Sequence, residues 1–390
     1  MAPTRILFPF AGDTGIGGSH ISAMELIKSL DRNRFEPLIL VHSEPGAVGD
    51  YAKTFGLEFE VARNVPLLGT RRLPRPTDVC LAKYFAIVLP RMIQLLNRYK
   101  PDIVHTNEGR VHASWTLPTW LSNRKHFWHH RQDPNALGVN YLAPLFANYI
   151  ATVSEFSKPK SPLLSIDSKV GVVRSPFTFP RDIPGNAEKH EEICSSLDLP
   201  KDSILLGYFG TLVGRKRPVH FVEATAAVQK QFPERAVHGL LFGNVVNDGH
   251  DHEAACRQKA EELGMLDNIH LMGFQETIAN YMVGIDVMLV SAINEPFGRT
   301  LIEAMYLGTP VVATRHGGNP EAITNDKTGF LVEHEDPSNF ADPVVKLIRD
   351  QEVHNRITKA AHKYAISNFD SEMHVRAISD IYDKLVPPKL

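Results

Sequence analysis

Two glutamates, Glu295 and Glu303, stand with seven residues between them in the stretch 287–333, VMLVSAINEPFGRTLIEAMYLGTPVVATRHGGNPEAITNDKTGFLVE. The pattern predicts a buried strand at 287–291, a loop carrying Glu295, Pro296 and Gly298, and a helix over 299–307 that Gly308 ends, with a further strand in PVVAT. Strand, loop and helix in that order point the unpaired N–H groups of the first helical turn, and the positive end of its dipole, at one spot above the sheet, which is a seat for phosphate. Glu295 precedes the seat and Glu303 lies a little over one turn into the helix. An ionised carboxylate accepts from two neighbouring hydroxyls, so a pair flanking a diphosphate suits a sugar on one side and a ribose on the other. By themselves two such glutamates read more plainly as a solvated loop residue and an exposed helix residue.

The order EPFG, EAM, GTPVVAT, GG, PEAI, TGFLV resembles the signature of retaining glycosyltransferases of family 4. The resemblance implies the GT-B fold, two doubly wound Rossmann-like domains facing each other across a cleft. It assigns Glu295 to the donor sugar and Glu303 to the ribose of the donor. It assigns the diphosphate to the backbone around Pro296, Phe297, Gly298, Arg299, Thr300 and Leu301. A second stretch, YFGTLVGRKRPVHFVEA at 208–224, resembles the family segment whose basic residues neutralise the diphosphate, with Lys216 on the family lysine. The arginine that usually follows the first glycine is absent; Thr211 stands there, and Arg215 or Arg217 is the candidate replacement. The segments FGN (242–244) and LMGF (271–274), with Phe274, resemble the base-binding neighbourhood, which works through backbone and leaves uracil and guanine open.

The loop AGDTGIGGSH follows the first strand with Gly12, Gly15, Gly17 and Gly18. It lacks the third glycine of a dinucleotide fingerprint and the second strand ends in His42-Ser43 with no acid, so a nicotinamide site is not indicated. Small residues at a helix start let backbone approach a ligand, and the resemblance gives Gly17 and Gly18 the donor's phosphates and sugar from the first domain. His129, His130 and Arg131 end the strand KHFWHH, at the place of the family histidine that lies against the donor sugar; His129 or His130 fills it. Arg71, Arg72 and Arg75 form a basic loop, read as solvated surface or as peripheral contact with an acceptor or membrane.

At 390 residues the chain suits two domains, and a formal charge of −2 excludes bulk attraction to nucleic acid. Cys80, Cys194 and Cys256 are too scattered for a disulfide framework or a zinc knuckle, and fit a reducing compartment. The start MAPTRILFPFAG enters a strand directly and no apolar run reaches membrane-spanning length, so the expectation is a soluble cytoplasmic protein. Both halves alternate short apolar strands with helical patterns: RILFPF, EPLILVH, DIVHTN, KHFWHH and YIATVS, then ILLGYFG, VHGLLFGN, NIHLMGF, VMLVSA, PVVAT and GFLVE. That alternation predicts parallel sheets with helices on both faces and ligands at the carboxyl ends of the strands. The domains are expected at 1–175, joined by a returning C-terminal helix at 371–390, and at 200–370, with a proline-rich linker at 176–199.

Together these readings predict an enzyme that moves a sugar from a nucleotide diphosphate donor, UDP-sugar first and GDP-sugar next, to a hydroxyl with retention. No Asp-x-Asp occurs and HDHE (250–253) has no cysteine partner nearby, so neither a metal nor another cofactor is expected. The rivals are a nucleotide-sugar epimerase, a disaccharide phosphorylase, and a non-catalytic sugar-nucleotide sensor.

Overall fold

The computed structural model describes residues 2–69, 77–178, 180, 182–245, 249–275 and 277–387, in two compact units. One is Met1–Phe177 with Ser371–Leu390; the other is Thr178–Asp370.

The first unit is a parallel sheet of β1 (Thr4–Ala11), β2 (Phe35–His42), β3 (Glu60–Ala62), β4 (Ile103–Thr106), β5 (Lys125–His130), β6 (Tyr149–Thr152) and β7 (Val170–Val172), in the order β3-β2-β1-β4-β5-β6-β7. Alternate residues of β1 supply the two faces, as the strand period of two requires. Ile6, Phe8 and Phe10 pack with Met24 and Ile27 of helix Gly18–Ser29 and with Ile378 and Tyr382 of helix Ser371–Leu385. Leu7 packs on the other side with Met92, Leu96 and Trp115. Ile378 is fully buried there, worth about 1.5–3 kcal/mol. The short edge strands β3 and β7 were not expected, since three residues are too few to show a period.

The second unit is a parallel sheet of β8 (Ile204–Phe209), β9 (Val237–Phe242), β10 (Ile269–Gly273), β11 (Val287–Val290), β12 (Val311–Thr314) and β13 (Phe330–Val332), ordered β10-β9-β8-β11-β12-β13. All six expected strands form. The linker expected at 176–199 is corrected: it holds helix Asn186–Ser196, which belongs to the second unit. His190 Nδ1 donates to the Gly284 carbonyl at 3.1 Å and Asn186 Nδ2 to the Val283 carbonyl at 2.5 Å. This charge-rich helix buries just Ile193 and Cys194, too sparse an apolar stripe to read from sequence.

In each sheet the order reverses beside the first strand of the unit, between β1 and β4 and between β8 and β11. Such a switch point leaves a crevice at the carboxyl ends of the two strands, where doubly wound folds bind ligands. Among the described residues no helix is long and apolar enough to cross a membrane.

Candidate active site

At the second switch point, β8 runs into Gly210 and the turn Gly214–Lys216, while β11 runs into the loop carrying Glu295. The two loops are tied together. Ser291 Oγ donates to the carbonyls of Lys216 and Arg217 at 2.9 and 3.0 Å, and Ile293 N–H to the Arg215 carbonyl at 2.8 Å. Lys216 folds back over Gly210, where an added Cβ would stand 2.6 Å from Nζ. Its ammonium lies 3.5 Å from Glu295 Oε2, the oxygen that also accepts from the Arg215 guanidinium. Arg217 instead takes the left-handed conformation (φ 51°) and donates to the His334 carbonyl at 2.6 Å. Of the two arginines that the sequence left open, Arg215 is the one beside Glu295 and Lys216. The Thr211 carbonyl accepts from the Tyr208 hydroxyl at 3.1 Å.

Glu295 is 8% exposed. Burial alone would raise its pKa, but the charges of Lys216 and then Arg215, with their hydrogen bonds, outweigh that and hold it below the ordinary glutamate value. Gly317 and Gly318 fix its loop from behind. Gly318 N–H donates to the Glu295 carbonyl at 2.8 Å, and a Cβ would stand 2.6 Å from the Glu295 oxygen at Gly317 and 2.4 Å from the Pro296 oxygen at Gly318.

Helix Arg299–Leu307 starts after Gly298 and ends at Gly308, whose φ of 84° is the left-handed stop. Leu301, Ile302 and Met305 are buried, which fixes the helix and aims its start at the switch point. Tyr208, Phe209, Lys216, Glu295, Thr300 and Leu301 line a pocket there. Thr300 Oγ donates to the Phe209 carbonyl at 3.3 Å. Pro296 has no N–H to offer a ligand, and the Phe297 ring turns away to pack on Phe369 with centroids 5.4 Å apart. The other side of the helix start presents Glu303 beside Arg299, Oε1 to guanidinium 3.7 Å. Burial raises the Glu303 pKa, with Arg299 opposing. Phe274 follows β10 and is 64% exposed.

In the first unit Gly17 caps helix Gly18–Ser29, and its N–H donates to His20 Nδ1 at 3.1 Å. His129 was expected over the crevice; it is instead fully buried, its Nδ1 3.2 Å from His105 Nε2 and 3.3 Å from Arg131. The sequence showed it at a strand end but not the two rings packed around it. His130 is also buried and donates to the Asp133 carbonyl at 3.1 Å. Arg71, Arg72 and Arg75 lie outside the described residues.

Two clusters at this switch point escaped sequence reasoning. Glu108, after β4, accepts from Ala11 N–H at 2.8 Å and lies 3.6 Å from His20; Arg110 joins Asp13 and Asp78. The position of Glu108 directly beyond a switch-point strand was the available signal. Among the described residues, the one group of three metal-ligating types is Glu333, His334 and Glu335. Arg315 already pairs with Glu333 at 3.0 Å.

Residues 189–364, a little under half the chain, match the model of the family described as Glycosyl transferases group 1. The chain is 29% identical over 209 residues to a D-inositol 3-phosphate glycosyltransferase of Corynebacterium jeikeium (strain K411), covering 53% of this chain and 50% of that protein. It is 33% identical over 138 residues to an N-acetyl-alpha-D-glucosaminyl L-malate synthase of Bacillus anthracis, covering 35% and 36%. The chain thus spans about half the length, or less, of these curated relatives. The crystal structure of Anabaena Alr3699/HepE in complex with UDP and glucose superposes with a TM-score of 0.77 at 21% identity, over 96% of this chain and 99% of that one. At that identity the likeness shows the fold alone, which is GT-B with two Rossmann-like domains.

Proposed function

We propose that this chain transfers a sugar from a nucleoside diphosphate donor, a UDP-sugar first, to a hydroxyl acceptor with retention at the anomeric carbon. One observation carries the reading: Arg215, Lys216 and Glu295 meet at a helix start that presents Glu303 a little over one turn further on. Two cations and the N–H groups of Phe297, Gly298, Arg299, Thr300 and Leu301 suit a diphosphate, and stabilise charge as it grows on the leaving phosphate. Glu303 accepts from the ribose hydroxyls and Glu295 positions the sugar. Phe274 offers an exposed ring beside the base. The leaving phosphate helps to deprotonate the acceptor on the same face, so no protein nucleophile is required. The cations do the neutralising, without a metal. The match to group 1 glycosyltransferases and the UDP and glucose held by the Anabaena protein support this donor class.

Thermal-shift measurements with UDP-glucose, UDP-N-acetylglucosamine and GDP-mannose test the donor; a ligand at a hundred times its Kd adds about 2.7 kcal/mol of stability. UDP release with an acceptor panel, in the presence and absence of chelator, then tests transfer, and NMR of the product reads the anomeric configuration. No shift with any nucleotide-sugar overturns the proposal. Loss of activity in chelator, restored by magnesium, overturns its metal-free part.

A further inference from the structure

The outer layer of the first unit carries an apolar face that stays open to solvent. The helical turns Gly138–Leu142 and Ala143–Phe146 send Val139 and Ala143 inward, to pack with Trp128. Leu137, Tyr141 and Leu145, four residues apart, stand on the opposite side and are 70, 50 and 46% exposed. Trp120, at the end of helix Gly109–Leu121, meets Phe146 edge to face with centroids 5.5 Å apart and extends the face on one flank. On the other flank a loop is pinned alongside. Leu163 N–H donates to the Asn140 carbonyl at 2.7 Å and Ser161 N–H to Asn140 Oδ1 at 2.8 Å, and the loop presents Leu163 and Leu164, both exposed.

We infer that this face docks on an anionic lipid bilayer, its leucines and aromatic rings entering the interface while lysines at its two ends meet the headgroups. A solvated helix face carries charges, yet no Asp, Glu, Lys or Arg occurs in 134–154. Charge gathers at the borders instead. Arg124 and Lys125 follow Trp120 across a tight turn, in which Asn123 and Arg124 N–H groups donate to the carbonyls of Trp120 and Thr119, each at 3.0 Å. Lys158 and Lys160 precede the two leucines of the loop; Lys158 pairs with Glu155 at 2.7 Å and Lys160 is exposed. Over 120–169 six Lys and Arg stand against three Asp and Glu, a net of +3 in a chain whose formal charge is −2. A basic border around uncharged leucines and aromatic rings suits a lipid interface, where Trp and Tyr sit at headgroup level and cations meet lipid phosphate.

The same composition disfavours a second copy of the chain as the occupant. A two-fold pair sets one patch against itself, so two net positive surfaces would meet at short range. An anionic bilayer supplies the opposite sign. None of these residues belongs to the candidate active site, so the inference stands whether or not the transferase reading does.

The test mixes the full chain with phosphatidylcholine vesicles, with and without phosphatidylglycerol. Trp120 is the internal probe, because Trp115 and Trp128 are buried. The expected result is flotation with the anionic vesicles, screened by high salt, together with a blue shift and quenching by brominated lipid. The double variants Leu163→Asn with Leu164→Asn, and Lys125→Glu with Lys160→Glu, should each weaken association about tenfold. Their thermal melts should match the parent, since all four side chains are exposed. Leu266→Asn, at an exposed leucine of the second unit, should leave association unchanged. Absence of flotation, equal association with the uncharged vesicles, or association that both double variants leave intact overturns the inference. So does a concentration-dependent dimer in sedimentation that the double leucine variant abolishes, which would make the face a contact between copies.

Discussion

Arg215 and Lys216 both address Oε2 of Glu295, one through a hydrogen-bonded guanidinium and the other at 3.5 Å. A carboxylate so placed competes with any phosphate for the same cations. Glu295→Gln should therefore tighten binding of UDP itself by about 1 kcal/mol, roughly fivefold, as the cations are released. Turnover should fall by about a hundredfold, because the sugar loses its positioning group. Lys216→Ala should lower turnover more than UDP affinity, since phosphate charge grows toward the transition state. Calorimetry with UDP decides the first point; weaker binding to Glu295→Gln would mean that the carboxylate does not compete.

Glu303 lies in the opposite electrostatic condition. Burial raises its pKa and Arg299, at 3.7 Å, offsets that in part. A raised carboxyl pKa means that its favourable contribution to the fold is complete below the ordinary glutamate value and is lost as pH rises through the raised one. Without nucleotide, Glu303→Gln should melt higher than the parent at pH 7 to 8 and equal it near pH 4. The same variant should bind UDP about 1.5–3 kcal/mol more weakly, for lost charged bonds to the ribose. A lower melting temperature at pH 8 would contradict the first part; unchanged UDP affinity would remove the ribose role.

Gly317 and Gly318 brace the Glu295 loop through backbone that leaves no room for a Cβ. Gly317 also has a φ of 63°. Gly317→Ala should destabilise the second unit by about 1–3 kcal/mol and displace Glu295, with UDP binding lost before the fold. A variant that binds UDP as tightly as the parent would show that the loop tolerates the shift.

These predictions rest on parts of the molecule that differ in how far sequence exposed them. The helix Arg299–Leu307 and its Gly308 stop were legible residue by residue, because a buried strand, a glycine loop and an apolar helical face are local patterns. Glu295 and Lys216 were legible through motif spacing. Which arginine joins them was not: Arg215 and Arg217 flank Lys216 equally in sequence, and the choice is made by the left-handed turn at Arg217. His129 was legible as a strand-end residue, yet its burial comes from His105 and His374, the latter far along the chain on helix Ser371–Leu385. Such long-range packing leaves no local pattern. The same limit hid helix Asn186–Ser196, whose partner is helix Ile278–Gly284.

The buried histidines of the first unit set how it meets acid. His105, His112 and His129 are held well below the ordinary value by burial, His126 is lowered to about 3, and His42 and His130 to about 4. Unfolded, each titrates near ~6.5. A base whose folded pKa is depressed contributes stability that is complete above the unfolded value and is lost as pH falls toward the folded one. Each histidine that stays neutral in the fold removes about 1.4 kcal/mol per pH unit below that point. Several together consume the roughly 5–15 kcal/mol of a typical domain within about two pH units. All three tryptophans, Trp115, Trp120 and Trp128, belong to this unit, so their fluorescence follows it alone. Two of them also touch the histidines: Trp115 donates to His42 Nε2 at 2.9 Å, and Trp128 stacks on His112 with centroids 4.2 Å apart. Tryptophan emission should therefore report unfolding of the first unit between about pH 6 and 4.5, above the ordinary carboxylate range of about 4. Circular dichroism, dominated at lower pH by the remaining second unit, should show a later transition. Emission that stays native down to about pH 4 would mean that the histidine cluster accepts protons without loss of the fold.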